Sequence, residues 1–228
     1  MHACQESLAG PARAKTTTSG LRSGKESQSM SSNRAEKMGG RTGLGGTLDK
    51  LRYHEVSRQG LGLLLLPVCA WFAAPGASRV WSGLAIALAG QAWRVYAAGV
   101  IYKNQRLATT GAYSLVRHPL YLGNFLILGG FTLAGANWGV LAVVICFLLF
   151  YYPAAVRYED AKLERIFVDE WRAWRQRVPA MFPTRFKWQA NTDAQWNARQ
   201  SLIRNGELPI SIYLLACACF LVYRSQVV

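Results

Sequence analysis

Residues 111–123 read Gly-Ala-Tyr113-Ser-Leu-Val-Arg117-His118-Pro119-Leu-Tyr121-Leu-Gly123, and a long apolar segment follows them at once. The stretch places an arginine, a histidine and two tyrosines at the mouth of a predicted membrane helix, where polar side chains are costly and usually functional. A second polar cluster, Arg157-Tyr-Glu159-Asp160-Ala-Lys-Leu163, comes after the apolar segment. Because one helical hairpin separates the two clusters, we expect folding to bring them together at one membrane surface.

The apolar residues of the chain occur in blocks. The 228 residues are 51% hydrophobic and 17% charged, and blocks of this kind are typical of helices that cross a bilayer. The run from 120 to 156 is too long for one crossing and contains a turn signal at 135–139, so we predict two helices there. The fold class predicted is an all-α integral membrane protein with about five transmembrane helices, in 60–75, 80–102, 120–156 (two) and 208–223.

The predicted organisation has three parts. Residues 1–48 are rich in Ser, Gly and basic residues and poor in apolar ones, which predicts a disordered tail. Residues 49–207 form the membrane domain, and 208–228 form an additional C-terminal transmembrane helix. Residues 48–58 are predicted to lie at the interface before the first span. An amphipathic helix is predicted after the hairpin, with Leu163, Phe167 and Trp171 on its apolar stripe.

The basic residues indicate the orientation. The net charge of +14 comes from residues that flank the apolar blocks and form no nucleic-acid-binding module, so we expect membrane lipids and no nucleic acid as partners. Lys and Arg are concentrated in the predicted loops 103–119 and 157–207 and before the first span. By the positive-inside rule, the N-terminus and both polar clusters face the cytosol.

Cysteine and histidine spacings predict no metal site. The three histidines are scattered, and four of the five cysteines lie inside apolar segments, where they are expected to pack as small apolar residues. No glycine-rich nucleotide-binding loop is present.

Ordinary structural explanations exist for each polar residue alone. Arg117 and His118 could anchor a helix at the interface, and Tyr113 and Tyr121 could belong to an aromatic belt. Glu159 and Asp160 could form surface salt links. Arg94 is different, because it lies inside a predicted span and is expected to pair with an acid, a carbonyl or water within the bundle.

The combination of these residues is more specific. The stretch Gly111-Ala-Tyr113, then Arg117-His118-Pro119-x-Tyr121-x-Gly123, a hairpin, and Glu159-Asp160 resembles the isoprenylcysteine carboxyl methyltransferase family and its phospholipid methyltransferase relatives. The resemblance covers roughly residues 84–183. The chain departs from the family's pattern in having Glu-Asp where Glu-Glu is usual, Val168 where Gly is usual, and Trp171 and Trp174 where tyrosines are common.

The resemblance implies an S-adenosylmethionine-dependent enzyme that methylates a lipophilic substrate at the cytosolic face. It implies cofactor-binding roles for Tyr113, Val116, His118, Pro119, Tyr121, Leu122, Gly123, Glu159 and Asp160. It implies catalytic roles for Arg117 and Glu159. The acceptor could be the carboxylate of a prenylated cysteine or a similar acid, or a lipid amine, and the residues do not decide between these.

Two other functions remain open at this point. A membrane reductase of the sterol-reductase type has a similar helical arrangement and uses NADPH. A non-enzymatic membrane scaffold would use the polar clusters only to anchor its helices and would bind neither cofactor.

Overall fold

The computed structural model describes residues 55–73, 77–102, 105–184, 186–190 and 195–227. Within these ranges the chain is helical and has no strand. The elements are α1 (Glu55–Trp71), α2 (Ala77–Ala98), α3 (Ala112–Leu115), α4 (Pro119–Gly135), α5 (Trp138–Arg177), a π-helical turn (Gln200–Arg204) and α6 (Glu207–Val227). The predicted tail 1–48 and the first part of the predicted interfacial segment lie outside the described residues.

The predicted break in the long apolar run is confirmed. Helix α4 ends at Gly135, Ala136 takes a left-handed conformation with φ 49, and α5 begins at Trp138. The Asn137 side chain accepts a hydrogen bond from the backbone N–H of Val140 at 3.1 Å, which caps the new helix. The prediction for α2 was less accurate, because this helix ends at Ala98 and residues 99–100 form a turn.

Two helices among the described residues are long and apolar enough to cross a membrane by length and composition, namely α5 and α6. The α1 and α4 helices are apolar but shorter. The all-helical class therefore agrees with the sequence prediction, and two of the five predicted spans meet the length and composition criterion.

Helices α2 and α4 pack closely because small residues line their contact. A Cβ atom added to Gly90 would lie 2.8 Å from the carbonyl oxygen of Gly123, and one added to Gly130 would lie 2.7 Å from the backbone nitrogen of Ala87. Such close approach of backbones is how membrane helices gain packing energy where lipid supplies no hydrophobic drive. The contact fixes the start of α4, and with it the position of Arg117 and His118.

Helix α5 continues well past the predicted hairpin end. It runs for 40 residues, and Val168 inside it has non-helical angles, φ 31 and ψ −95, which mark a kink. The amphipathic helical segment predicted after the hairpin is present as the last part of α5, which is kinked at Val168. Its apolar side packs as expected: Trp171 and Trp174 are buried against α2, α3 and the residues Val100 and Leu107 between them.

Residues 196–205 cap the end of α2, whose last carbonyls have no partner within the helix. The Ser201 hydroxyl donates to the Val95 carbonyl at 2.6 Å, and the Asn205 amide donates to the Ala98 carbonyl at 2.7 Å. The Gln200 amide donates to the Ile101 carbonyl at 2.7 Å. The segment before α6 is thus part of the fold that supports the site.

Candidate functional site

The two ends of the α4–α5 hairpin meet, as the sequence predicted. The carboxylate of Asp160 lies 3.0 Å from an Nη of Arg117 and 2.9 Å from Nε2 of His118. All three side chains are largely buried. One aspartate from α5 therefore fixes both polar residues that precede α4, and the shorter acid at this position of the family's Glu-Glu pair still reaches them.

Backbone groups after α5 form hydrogen bonds with the loop that carries these residues. The backbone N–H of Arg117 donates to the Pro179 carbonyl at 2.8 Å, and that of His118 donates to the Ala180 carbonyl at 3.0 Å. Further along, the N–H of Gly111 donates to the Gln189 carbonyl at 2.7 Å. Pro179, Ala180 and Gln189 thus hold the 111–118 loop in place.

Tyr113 is buried beside this loop. Gly111 has φ 59, a conformation that glycine adopts without strain, and the turn it makes directs Tyr113 inward. The indole N–H of Trp174 donates to the Tyr113 carbonyl at 3.2 Å. Burial raises the pKa of the Tyr113 phenol, and the nearby charge of Glu159 raises it further, so the phenol stays protonated.

Arg117 lies in a partly desolvated position. Burial lowers the pKa of its guanidinium, and the charge of Asp160 acts in the opposite direction. The guanidinium carbon of Arg117 lies 5.9 Å from the ring centroid of Trp171. The guanidinium carbon of Arg175 lies 5.0 Å from the same ring. The Nε atom of Arg117 is buried and has no hydrogen-bond partner among the described residues. Arg117 is therefore held firmly while keeping donor capacity unused.

A cavity of about 700 Å³ opens beside these residues. Its lining includes six of the predicted site residues: Tyr113, Arg117, His118, Pro119, Tyr121 and Glu159. The rings of His118 and Tyr121 are stacked, with centroids 5.4 Å apart. The cavity therefore joins the start of α4 to the point on α5 where the hairpin returns.

The other four predicted residues do not line this cavity. Val116 is fully buried in the protein interior. Gly123 faces α2, where an added Cβ would collide with the side chain of Arg94. Leu122 is half-buried on α4, and Asp160 supports Arg117 and His118. Six of the predicted residues thus line the cavity and four do not, and of these four Asp160 holds two lining residues, Arg117 and His118.

Several lining residues were missed by sequence reasoning: Arg106, Asn124, Tyr158, Lys162, Trp174 and Glu207. A signal existed for two of them. Tyr158 and Lys162 are four residues apart, so helical spacing places them on the same side of α5, and Lys162 is three residues from Glu159. No local signal joined Glu207 to the site.

Glu207 is the partner of Arg94. Its carboxylate accepts from Nη2 of Arg94 at 2.7 Å and from Nε at 3.2 Å, across 113 positions of sequence. Arg94 also donates to the side chain of Asn124 and to the Leu120 carbonyl, and Gln91 donates to the same carboxylate at 3.2 Å. The expectation that Arg94 pairs inside the bundle is confirmed.

Residues 69–170, which contain α2 to α4 and most of α5, match the phospholipid methyltransferase family. The chain is similar to this family over the matched segment. The match includes every predicted site residue, and the resemblance seen in the sequence is thereby confirmed. The matched segment, which we call the family domain, ends before Pro179 and before α6. Glu207 and the residues 196–205 that cap α2 therefore lie outside it.

Three curated relatives match significantly. The chain is 38% identical over 102 residues to the cobalt-zinc-cadmium resistance protein CzcN of Cupriavidus metallidurans, covering 44% of this chain and 46% of that protein. It is 36% identical to the nickel-cobalt-cadmium resistance protein NccN of Alcaligenes xylosoxydans xylosoxydans, over the same shares of both chains. It is 29% identical to the protein-S-isoprenylcysteine O-methyltransferase of Schizosaccharomyces pombe, covering 43% of this chain and 42% of that enzyme.

The matched region spans less than half the length of each of these relatives. No solved structure matches the chain significantly. Two of the relatives are named for metal resistance, but no group of three or more His, Cys, Asp or Glu side chains that could hold a metal ion is found in the part of the chain that the structure describes. The match to the phospholipid methyltransferase family supports methyltransferase activity.

Proposed function

We propose that this protein is an integral membrane methyltransferase that uses S-adenosylmethionine and methylates a lipophilic acceptor at the cytosolic face. The observation that carries the proposal is the convergence of His118 and Glu159, from opposite ends of the hairpin of the family domain, at one cavity. The similarity to a protein-S-isoprenylcysteine O-methyltransferase supports the same reaction class.

The residues at the cavity fit this cofactor. S-adenosylmethionine supplies an electrophilic methyl group on a positively charged sulfur, together with an adenine ring and an amino-acid moiety. Tyr113 and the stacked pair His118 and Tyr121 offer aromatic surfaces to a planar ring or a cation. Glu159 lines the cavity, and among the described residues it forms no ion pair, so its carboxylate remains available to a ligand.

The role of the chain in such a reaction is alignment and exclusion of water. Asp160 holds His118 and Arg117, and the carbonyls of Pro179, Ala180 and Gln189 hold the backbone of the 111–118 loop. Arg117 would orient an anionic group of the acceptor. Glu159 would contact the cofactor and would take the proton if the acceptor were an amine.

Both candidate acceptors find a complementary residue at the cavity. The lining contains the cations Arg94, Arg106, Arg117 and Lys162 and the acids Glu159 and Glu207, and Asp160 pairs with Arg117 from outside the lining. A carboxylate acceptor needs no base, only a cation to place it, whereas an amine acceptor needs a nearby carboxylate as base. The lipid amine stays the second candidate acceptor.

The topology proposed has five spans, with the cavity and the N-terminus on the cytosolic side. It rests on the Lys and Arg distribution and on the five longer helices α1, α2, α4, α5 and α6. In a chain whose own cysteines are replaced by alanine, new cysteines at the exposed residues Gln105 and Trp138 test it. We expect labelling from opposite sides of sealed vesicles, with Gln105 cytosolic; labelling from one side contradicts the topology.

Calorimetric titration with adenosylhomocysteine tests the function. We expect His118→Ala and Glu159→Ala each to weaken binding tenfold or more, about 1.4 kcal/mol. The double variant should lose less than the sum, because both residues contact one ligand. Glu164→Ala is the matched control, because Glu164 lies on α5 beside the solvent-exposed Arg172.

The same titration separates the other functions. A reductase would bind NADPH and not adenosylhomocysteine, and a scaffold would bind neither. If adenosylhomocysteine fails to bind the parent protein, or binds both single variants unchanged, the methyltransferase proposal is wrong.

A further inference from the structure

Three large aromatic side chains that follow α5 lie on the outside of the protein. Phe182, Phe186 and Trp188 are 60%, 87% and 52% exposed, and Lys187 between the last two is also exposed. We call these four residues the aromatic–basic surface. They neither line the cavity nor fall within the family domain. Since exposed apolar patches mark interaction sites, this surface needs a partner of its own.

The surface lies beside the ends of the apolar helices. The ring of Phe182 packs edge-on against Phe125, with the two centroids 5.9 Å apart. Phe125 lies roughly 9 Å along α4 from the helix start at Pro119. The ring of Trp188 stacks on Tyr96 in the last turn of α2, with centroids 5.8 Å apart. In a bilayer that contains α4, these exposed rings lie at the depth of the membrane–water interface, where aromatic belts occur.

The charges that accompany this surface in the sequence are all positive. Residues 171–190 contain no acidic side chain and five basic ones, namely Arg172, Arg175, Arg177, Arg185 and Lys187. Arg175 and Arg177 are exposed and form no ion pair with the described acids. Basic side chains beside interfacial aromatic rings favour anionic phospholipid over zwitterionic phospholipid. Depth and charge together therefore indicate a lipid partner.

The surface is tied at both ends to the loop that carries the site. On one side the backbone N–H of Arg117 donates to the Pro179 carbonyl at 2.8 Å. On the other side the N–H of Gly111 donates to the Gln189 carbonyl at 2.7 Å. Whatever immobilises the residues between Pro179 and Gln189 therefore also protects the hydrogen bonds of the 111–118 loop.

We propose that the aromatic–basic surface binds anionic phospholipid of the leaflet that it faces, and that the bound lipid stabilises the 111–118 loop. The aromatic rings enter the interface between headgroups and acyl chains, and Lys187 pairs with a lipid phosphate. The proposal holds for any reaction at the cavity, because it rests on the surface and on its hydrogen bonds to the loop.

Two double variants with matched chemistry test the surface. Phe186→Ser/Lys187→Gln removes one exposed aromatic ring and one positive charge from it. Trp81→Ser/Arg79→Gln removes an exposed aromatic ring and a positive charge at the start of α2, whereas Trp188 packs near the end of that helix. The two variants therefore differ in the place of the change and have the same net charge.

The first measurement is thermal unfolding of the purified full-length protein in detergent. The probes are dioctanoylphosphatidylglycerol, dioctanoylphosphatidylcholine and the water-soluble headgroup glycerophosphoglycerol. We expect saturable stabilisation by the phosphatidylglycerol alone, in the parent and in the Trp81/Arg79 variant. In the Phe186/Lys187 variant the apparent affinity for this lipid should be at least about fivefold weaker, since each basic residue contributes to anionic lipid binding.

The second measurement is amide hydrogen exchange in phosphatidylcholine nanodiscs with and without phosphatidylglycerol. Both leaflets of a nanodisc have the same composition, so the result does not depend on the topology. With phosphatidylglycerol, the amides of Gly111, Arg117 and His118 should exchange at least about threefold more slowly in the parent. The Phe186/Lys187 variant should show no such slowing.

Other results overturn the proposal. Equal stabilisation by both lipids, an equal loss in both double variants, or stabilisation by the soluble headgroup would each do so. Unchanged stabilisation of the Phe186/Lys187 variant would place the lipid elsewhere, and dimers of the parent that this variant loses would assign the surface to a second copy. Amide exchange that ignores phosphatidylglycerol would refute the link to the loop. If the double variant does not fold, Lys187→Gln decides, because it keeps all three rings.

Discussion

Two buried ion pairs, both within reach of the cavity, serve different purposes. Arg94 and Glu207 join the family domain to α6, and nearly every donor of Arg94 is used by Glu207, Asn124 or Leu120. Arg117 and Asp160 join the two ends of the hairpin, and the Nε atom of Arg117 has no partner among the described residues. The first pair is saturated within the protein, whereas the Nε donor of Arg117 in the second pair is not used by the described residues.

The largest effect is expected at the saturated pair. Glu207→Ala leaves the buried charge of Arg94 without its carboxylate, and breaking such a pair costs about 3–5 kcal/mol. Thermal unfolding in detergent should show a large loss of stability. The double variant Arg94→Leu/Glu207→Leu should recover much of it, because no buried charge remains. A double variant as unstable as Glu207→Ala would show that the pair stabilises the fold by more than mutual charge neutralisation.

A smaller effect, and of another kind, is expected at the second pair. Asp160→Asn keeps the size of the side chain but removes the charge that holds Arg117 and His118. We expect adenosylhomocysteine affinity to fall about tenfold, or 1.4 kcal/mol, with a smaller change in unfolding temperature than for Glu207→Ala. The comparison between the pairs breaks down if calorimetry shows unchanged affinity in Asp160→Asn.

The surroundings of the second pair also depend on a strained residue. Val168 has φ 31, which is a genuine outlier for a β-branched side chain, and the kink it makes lets Trp171 and Arg175 reach Arg117. Strain of this kind costs about 1–3 kcal/mol, so Val168→Gly should stabilise the protein by about 1 kcal/mol after the added chain entropy of glycine. Ile166→Gly, at a regular exposed position of the same helix, should instead destabilise it by about 1 kcal/mol. Destabilisation by both changes would mean that the kink stores no strain.

The smallest effect is expected at an exposed pair, which provides the baseline. Arg172 lies 3.0 Å from Glu164, and the two side chains are 58% and 36% exposed. Since exposed pairs contribute about 0–1 kcal/mol, Arg172→Ala should change thermal unfolding little and adenosylhomocysteine binding not at all. A loss comparable to that of Glu207→Ala would undermine the use of burial in ranking these pairs.

Local chemistry made part of this structure predictable. The turn at 135–139, Pro119 as the first residue of α4 and the meeting of the two polar clusters all follow from short-range signals. The need of Arg94 for a buried partner was also evident, since an unpaired guanidinium in a membrane helix is expensive. The identity of that partner, Glu207, was not predictable, because it lies 113 positions further along the chain.

Long-range pairing was not predictable in the same way. The backbone contacts from residues 179–189 to the loop at 111–118 use N–H and carbonyl groups, which every residue type carries and no sequence pattern marks. The kink in α5 at Val168 could not be predicted, because β-branched residues rarely adopt a positive φ. The cavity lining from α1 and α6 depends on how the helices pack, which the sequence of each helix does not reveal alone.

The dependence of α2 on residues 196–207 has a consequence for how the chain is made. During synthesis α2 leaves the ribosome long before the hydroxyl and amide groups that cap it and the carboxylate that neutralises Arg94. The carbonyls at the end of α2 and the charge of Arg94 therefore lack these partners until residues 196–207 have been synthesised. A chain truncated ahead of Glu207 would lack the partner of Arg94, and we expect it to be less stable than the full chain.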